Sequence, residues 1–108
     1  MLYSTAQWID RNPGIARRLA RAIRRTLRWM LEHTPEEIAA ALPAEFRTGD
    51  PAVYIDALRA SLAMFSPDGR MPPGGPEAVH RALAASREQV RKASINVAST
   101  YTNEFVSE

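Results

Sequence analysis

Between Asn12 and His33 the apolar and charged positions of the chain separate onto opposite sides of a helical wheel. At about 100° per residue, Ile15, Leu19, Ala22, Ile23, Thr26, Leu27 and Met30 share one arc, and Arg17, Arg18, Arg21, Arg24, Arg25 and Arg28 share the other. A period of 3.6 residues held for about five turns predicts an amphipathic helix with one face against a core. Asn12 is placed to cap it, and Pro13 suits the first helical position, where a missing N–H costs no hydrogen bond.

The same grammar of caps and prolines divides the rest of the chain. Before the long helix, Met1 to Tyr3 is apolar and predicts a brief strand or extended entry, and Thr5 caps a short helix running to Arg11. After it, Thr34 and Glu37 have the spacing of a capping box, and Pro35 cannot extend the preceding ladder. A short helix over Ile38 to Leu42 follows and ends at Pro43, with Phe46 expected to tuck into the core from a loop. Asp50 and Pro51 repeat the cap-and-proline start, predicting a helix to about Met64 on which Tyr54, Ile55, Leu58, Leu62 and Phe65 align. Ser66-Pro67-Asp68-Gly69 is a turn, and Met71 to Gly75 continues irregular. The next helix starts near Pro76 or Glu77 and runs to about Lys92, with a weak apolar face of Val79, Ala82, Leu83, Ser86 and Val90. The tail from Ile95 to Tyr101 alternates and is rich in β-branched residues, which leaves strand and coil both open, and Thr102 caps a last turn carrying Phe105 and Val106.

Composition fits one folded unit over residues 1–108. Hydrophobic residues make up 45% and charged residues 24% of the chain, which is globular rather than disordered composition. The absence of cysteine excludes a disulfide framework, a thiolate zinc site and a thiol nucleophile. A formal net charge of +2 is too small to call for a nucleic-acid partner, although arginine crowds the first third of the sequence. No apolar run approaches the ~20 residues of a membrane span, and Met1-Leu2-Tyr3-Ser4 lacks the charged and apolar regions of a signal peptide.

Candidate chemistry is sparse. His33 and His80 are far apart, and only His80 has a ligand-type neighbour at helical spacing, Glu77, so no metal site is expected. His33 belongs at a helix C-terminus, where positive charge is favourable, and His80 at the surface. Glu36 and Glu37 are adjacent in a first turn, where they point apart and suit the helix dipole, so they read as capping residues rather than an acid/base pair. The serines form neither G-x-S-x-G nor Ser-x-x-Lys, and Pro72-Pro73-Gly74-Gly75 lacks the Lys-Ser/Thr ending of a phosphate loop. No catalytic residue, metal or cofactor is expected, and the chain does not read as an enzyme. The arginine arc reads as a solvated face.

Taken in order, Tyr3-Ser4-Thr5-Ala6-Gln7-Trp8-Ile9-Asp10-Arg11-Asn12-Pro13, the long helix, His33-Thr34-Pro35-Glu36-Glu37, Phe65-Ser66-Pro67-Asp68-Gly69-Arg70 and Tyr101-Thr102-Asn103-Glu104-Phe105-Val106 resemble the C-terminal third of solute-binding proteins of nitrate/sulfonate/taurine-type ABC importers. The resemblance spans essentially the whole chain, and its weight lies in the order and spacing of motifs that are individually ordinary caps and turns. It implies a mainly α unit, the helical C-terminal part of one lobe of a two-lobed α/β periplasmic-binding-protein fold of type II. It further implies a non-catalytic role in binding a small anionic or heterocyclic solute outside the cytoplasm and delivering it to a membrane permease. Solute contacts are then expected mainly upstream of this chain, so no ligand-binding residue is assigned. The helix after Pro76 is less apolar than the resemblance implies. Apolar surface left open by the absent remainder of the lobe predicts self-association of the isolated chain. The rival expectation is a small helical interaction or nucleic-acid-binding protein working through the arginine face of the helix 12–33.

Overall fold

The computed structural model describes residues 2–106 and is mainly helical, with no strand among the described residues. Among the described residues six α-helices follow one another: α1 (Ala6–Arg11), α2 (Pro13–Leu31), α3 (Pro35–Ala41), α4 (Pro51–Leu62), α5 (Gly75–Ser86) and α6 (Glu88–Lys92). Three 3₁₀ turns, Ala44–Phe46, Val97–Thr100 and Glu104–Val106, complete the path.

The caps form where the sequence places them, with one exception. Thr5 Oγ1 accepts from the Trp8 amide, and Asp50 Oδ1 accepts from Ala52 and Val53 at 2.8 and 3.4 Å. Thr34 and Glu37 complete a reciprocal box, Thr34 Oγ1 accepting from Glu37 N at 3.2 Å and Glu37 Oε2 from Thr34 N at 2.8 Å. Asn12 does not cap α2 with its side chain; its Nδ2 donates instead to the Trp8 carbonyl at 2.9 Å. A single residue separates α1 from α2, so the amide serves the carbonyl end of α1, whose orphan acceptors lie within its reach.

Other expectations are corrected. Leu2 and Tyr3 are exposed and form no strand, so of the two expected alternatives the strand is not found, and Met1 lies outside the described residues. Phe46 is 65% exposed in its 3₁₀ turn rather than tucked inside, because among the described residues no other helix or turn packs extensively on the turn between α3 and α4. The helix expected to run to Lys92 breaks at Arg87, which is extended. There Ser86 Oγ donates to the Ala82 and Leu83 carbonyls, a local bonding mode that competes with the regular ladder. The stretch from Ile95 to Tyr101 holds a 3₁₀ turn and no strand.

The helices form small groups instead of one core. The 3₁₀ turn Glu104–Val106 and α1 dock on α2, α3 packs on α4, and α5 contacts α6 and the turn Val97–Thr100. Among the described residues only Ala16, Ile38 and Ala39 are buried apolar residues. The accessible surface is 8517 Å² where a compact chain of this mass exposes about 6,000 Å². The radius of gyration is 17.0 Å where about 13 Å is ordinary.

The arrangement around α2 accounts for much of this openness. Ala16 is buried and Ala20, Arg24 and Leu27 are half-buried, while Ile15, Leu19 and Ile23 are exposed. At about 100° per residue, the covered flank is rotated roughly a quarter turn from the centre of the apolar stripe. The stripe expected to face a core is therefore largely uncovered, since the elements docked on α2 are a six-residue helix and a three-residue turn.

Candidate functional site

Two recesses bring together side chains with binding chemistry. The first lies between α3 and α4, holds about 390 Å³, and is lined by Glu36, Ala39, Arg47, Tyr54 and Ile55 among others. The capping box fixes its acidic rim. Glu37 faces back onto the Thr34 amide, whose hydrogen bond holds its carboxyl below the usual value, and this leaves Glu36 to reach α4. There Arg59 Nη2 donates to Glu36 Oε1 at 2.9 Å while Arg59 Nη1 donates to Asp56 Oδ1 at 2.7 Å. One guanidinium thus bridges two carboxylates, Glu36 on α3 and Asp56 on α4, and the cluster keeps one net negative charge. The pairs are exposed and worth at most about 1 kcal/mol each, so their role is to orient α4 on α3. Glu36 and Glu37 are engaged separately, Glu36 by Arg59 and Glu37 by the backbone and side chain of Thr34.

The second recess lies along the polar face of α2 and holds about 300 Å³. Arg17, Arg21, Arg24, Arg25 and Arg28 line it together with Phe105 and Val106 of the last turn. Arg24 Nη1 donates to the Val106 carbonyl at 3.3 Å, which fastens that turn to α2. The arginine arc is thus walled on one side rather than uniformly solvated. Among the described residues, no ion pair to a carboxylate engages Arg17, Arg21, Arg25 or Arg28. Forked guanidinium donors beside an apolar wall can hold an oxyanion.

The histidines take different places. His33 follows α2, stacks on Trp29 with ring centroids 4.2 Å apart, and lies 2.6 Å through Nδ1 from the Trp29 carbonyl, as a residue closing a helix C-terminus should. His80 is half-buried, not superficial, and its Nε2 is buried with no hydrogen-bond partner. Among the described residues no group of three or more His, Cys, Asp or Glu is arranged to hold a metal ion, and no helix is long and apolar enough to cross a membrane.

Sequence reasoning passed over Asn103. Its amide accepts from Met71 N at 2.8 Å and donates to Met71 O at 3.2 Å, pinning the tail to the irregular segment before α5. The contact spans 32 positions. No local pattern could reveal it, because neither segment carries a regular period. Compared with protein-family models, with curated proteins and with solved structures, the chain has no match.

Proposed function

We propose that this chain is a non-catalytic helical element of the solute-binding component of an ABC importer, serving a solute of the nitrate, sulfonate, taurine or related heterocycle class. The observation that carries the reading is the uncovered apolar stripe of α2, on which Ile15, Leu19 and Ile23 are 39, 42 and 48% exposed. A lobe element presents such a stripe to the sheet it packs against, and the segments of this chain follow the order of that lobe's closing portion. In this reading the protein acts outside the cytoplasm, and its partners are the solute and a membrane permease. The mechanism is closure of two lobes on the solute, with this element supporting one of them.

The test is a thermal-shift screen of the intact gene product against nitrate, taurine, alkylsulfonates and pyrimidines. A solute that binds only the folded state stabilises it by about 2.7 kcal/mol at one hundred times its Kd, which reads as a shift of several degrees. A flat response to every class, together with a stop codon directly upstream of the Met1 codon, overturns the reading.

The arginine recess favours a second reading, a small helical protein that binds nucleic acid. Its signature is an affinity for DNA that falls steeply with salt and weakens in Arg21→Ala, because phosphate contacts release counterions. Salt-independent or unchanged binding removes it.

A further inference from the structure

We propose that the recess along the polar face of α2 is a binding site for a small organic phosphate, its phosphoryl group held by Arg21, Arg25 and Arg28 and its apolar part resting on Phe105 and Val106. The inference does not rest on the importer reading, which expects solute contacts upstream of this chain, and it takes a small ligand where the second reading takes a polymer.

Between Asp10 and Glu32 the chain contains no acidic residue, so the arginines of α2 have no counter-ion on their own helix. Arg17 and Arg21, Arg21 and Arg25, and Arg24 and Arg28 are four positions apart, a spacing that makes like charges neighbours on the helix surface and destabilises it. A bound dianion offsets this repulsion, which no side chain of α2 can do.

Arg21, Arg25 and Arg28 suit a single phosphoryl group. They lie within an arc of about 60° and about 10 Å of helix axis, and all three line the recess. A guanidinium is a rigid fork of donors that stays charged, and three forks match a group with three terminal oxygens and two charges. A carboxylate offers two oxygens and one charge, and uses less of the site.

The facing wall is apolar and fixed in place. The Val106 carbonyl accepts from Arg24, and Asn103 ties the residues just before the turn to Met71. Gly69 lies close enough to Val106 that a Cβ on it would be 3.8 Å from Val106 Cγ1. Phe105 and Val106 are half-buried and line the recess, so they still present apolar surface to whatever enters it. Inorganic phosphate has no use for that wall, whereas an ester carrying an apolar group gains by covering it. The volume of about 300 Å³ stands at the lower limit of small-molecule pockets. A nucleic-acid strand draws on long-range attraction, of which a formal net charge of +2 supplies little.

Isothermal titration calorimetry of the purified chain tests the site, with phenyl phosphate, benzenesulfonate and inorganic phosphate as probes at fixed salt. At about pH 7.5 a phosphate monoester carries close to two negative charges. Phenyl phosphate is expected to bind roughly tenfold more tightly than either comparator, through its second charge against the sulfonate and its ring against the inorganic ion. Arg21→Gln is expected to weaken it by about tenfold. Arg18→Gln removes the same charge from α2 but lies outside the recess, and is expected to leave the affinity unchanged. Both arginines are exposed, so helical circular dichroism is retained in both variants. Phe105→Ala is expected to erase most of the preference for phenyl phosphate over inorganic phosphate. Phosphatidylcholine vesicles containing phosphatidic acid separate the sources of the group: a chain that phenyl phosphate displaces from them uses the same site for a lipid headgroup. Absence of phenyl phosphate binding at millimolar concentration overturns the proposal, whether or not vesicles or a single-stranded oligonucleotide bind. So does equal loss in Arg21→Gln and Arg18→Gln, or equal affinity for benzenesulfonate. A solute response of the intact gene product under the importer reading is expected to survive Arg21→Gln, so the two fail separately.

Discussion

The side-chain amide of Asn103 grips the backbone of Met71 from both sides, taking its N–H and giving to its carbonyl. An asparagine amide has one face of each polarity, so one side chain supplies the pairing that a neighbouring strand would otherwise provide. The tail is thereby tied to the entry of α5, and the Glu104–Val106 turn is brought within reach of Arg24.

Replacing Asn103 with alanine leaves both Met71 groups without a protein partner. Because the site is half-buried, the expected loss is about 1–2 kcal/mol of unfolding free energy. Urea unfolding at one fixed chain concentration measures it; an unchanged midpoint would show that the clamp is incidental. Asn103→Asp keeps the acceptor and loses the donor, and is expected to fall between the two.

Asp50 accepts from two amides at the start of α4. Asp50→Ala is expected to cost about 1 kcal/mol, and Asp50→Ser a smaller amount, by the same measurement. Equal losses in the two variants would mean that capping is not the cause.

The capping-box carboxylate makes stability depend on pH. The Thr34 amide holds the Glu37 carboxyl below its ordinary value of 4.5, so the folded state binds that proton less tightly than the unfolded chain. The contribution is therefore fully present above pH 4.5 and is lost as pH falls through the lower folded value. Glu37→Gln is expected to flatten this part of the acid limb. Parallel acid limbs in the two proteins would rule the linkage out. Asp68, held low by the Arg70 amide and by Ser66, acts in the same direction, so only the Glu37 portion disappears.

Gly69 has φ +77°, a region that side chains rarely adopt. A Cβ there would sit 3.5 Å from Leu27 Cδ1 and 3.8 Å from Val106 Cγ1, ordinary contact rather than a clash. Gly69→Ala is expected to destabilise by about 1–2 kcal/mol through backbone strain alone. A stabilised variant in thermal unfolding would contradict this.

The secondary structure was largely legible because its causes are local. Proline at the first helical position with a polar residue before it marks α3 and α4, and the apolar period marks α2. The break at Arg87 was not legible, since Ser86 donates to two nearby carbonyls without altering the apolar pattern. The Asn103 clamp and the arginine recess were hidden for another reason. Both join residues more than thirty positions apart, and no window of sequence contains them.

The amphipathic character of α2 was fixed by sequence alone, because a helix of 3.6 residues per turn sorts Ile15, Leu19 and Ile23 from the arginines whatever surrounds it. Which face is covered was decided by tertiary structure. A single turn at Glu104–Val106 and the short α1 are too small to cover the stripe, and they dock on the flank of Ala16, Ala20 and Leu27, where small side chains let backbone approach. The period names an apolar face, but burial depends on whether another surface of matching size is there to meet it.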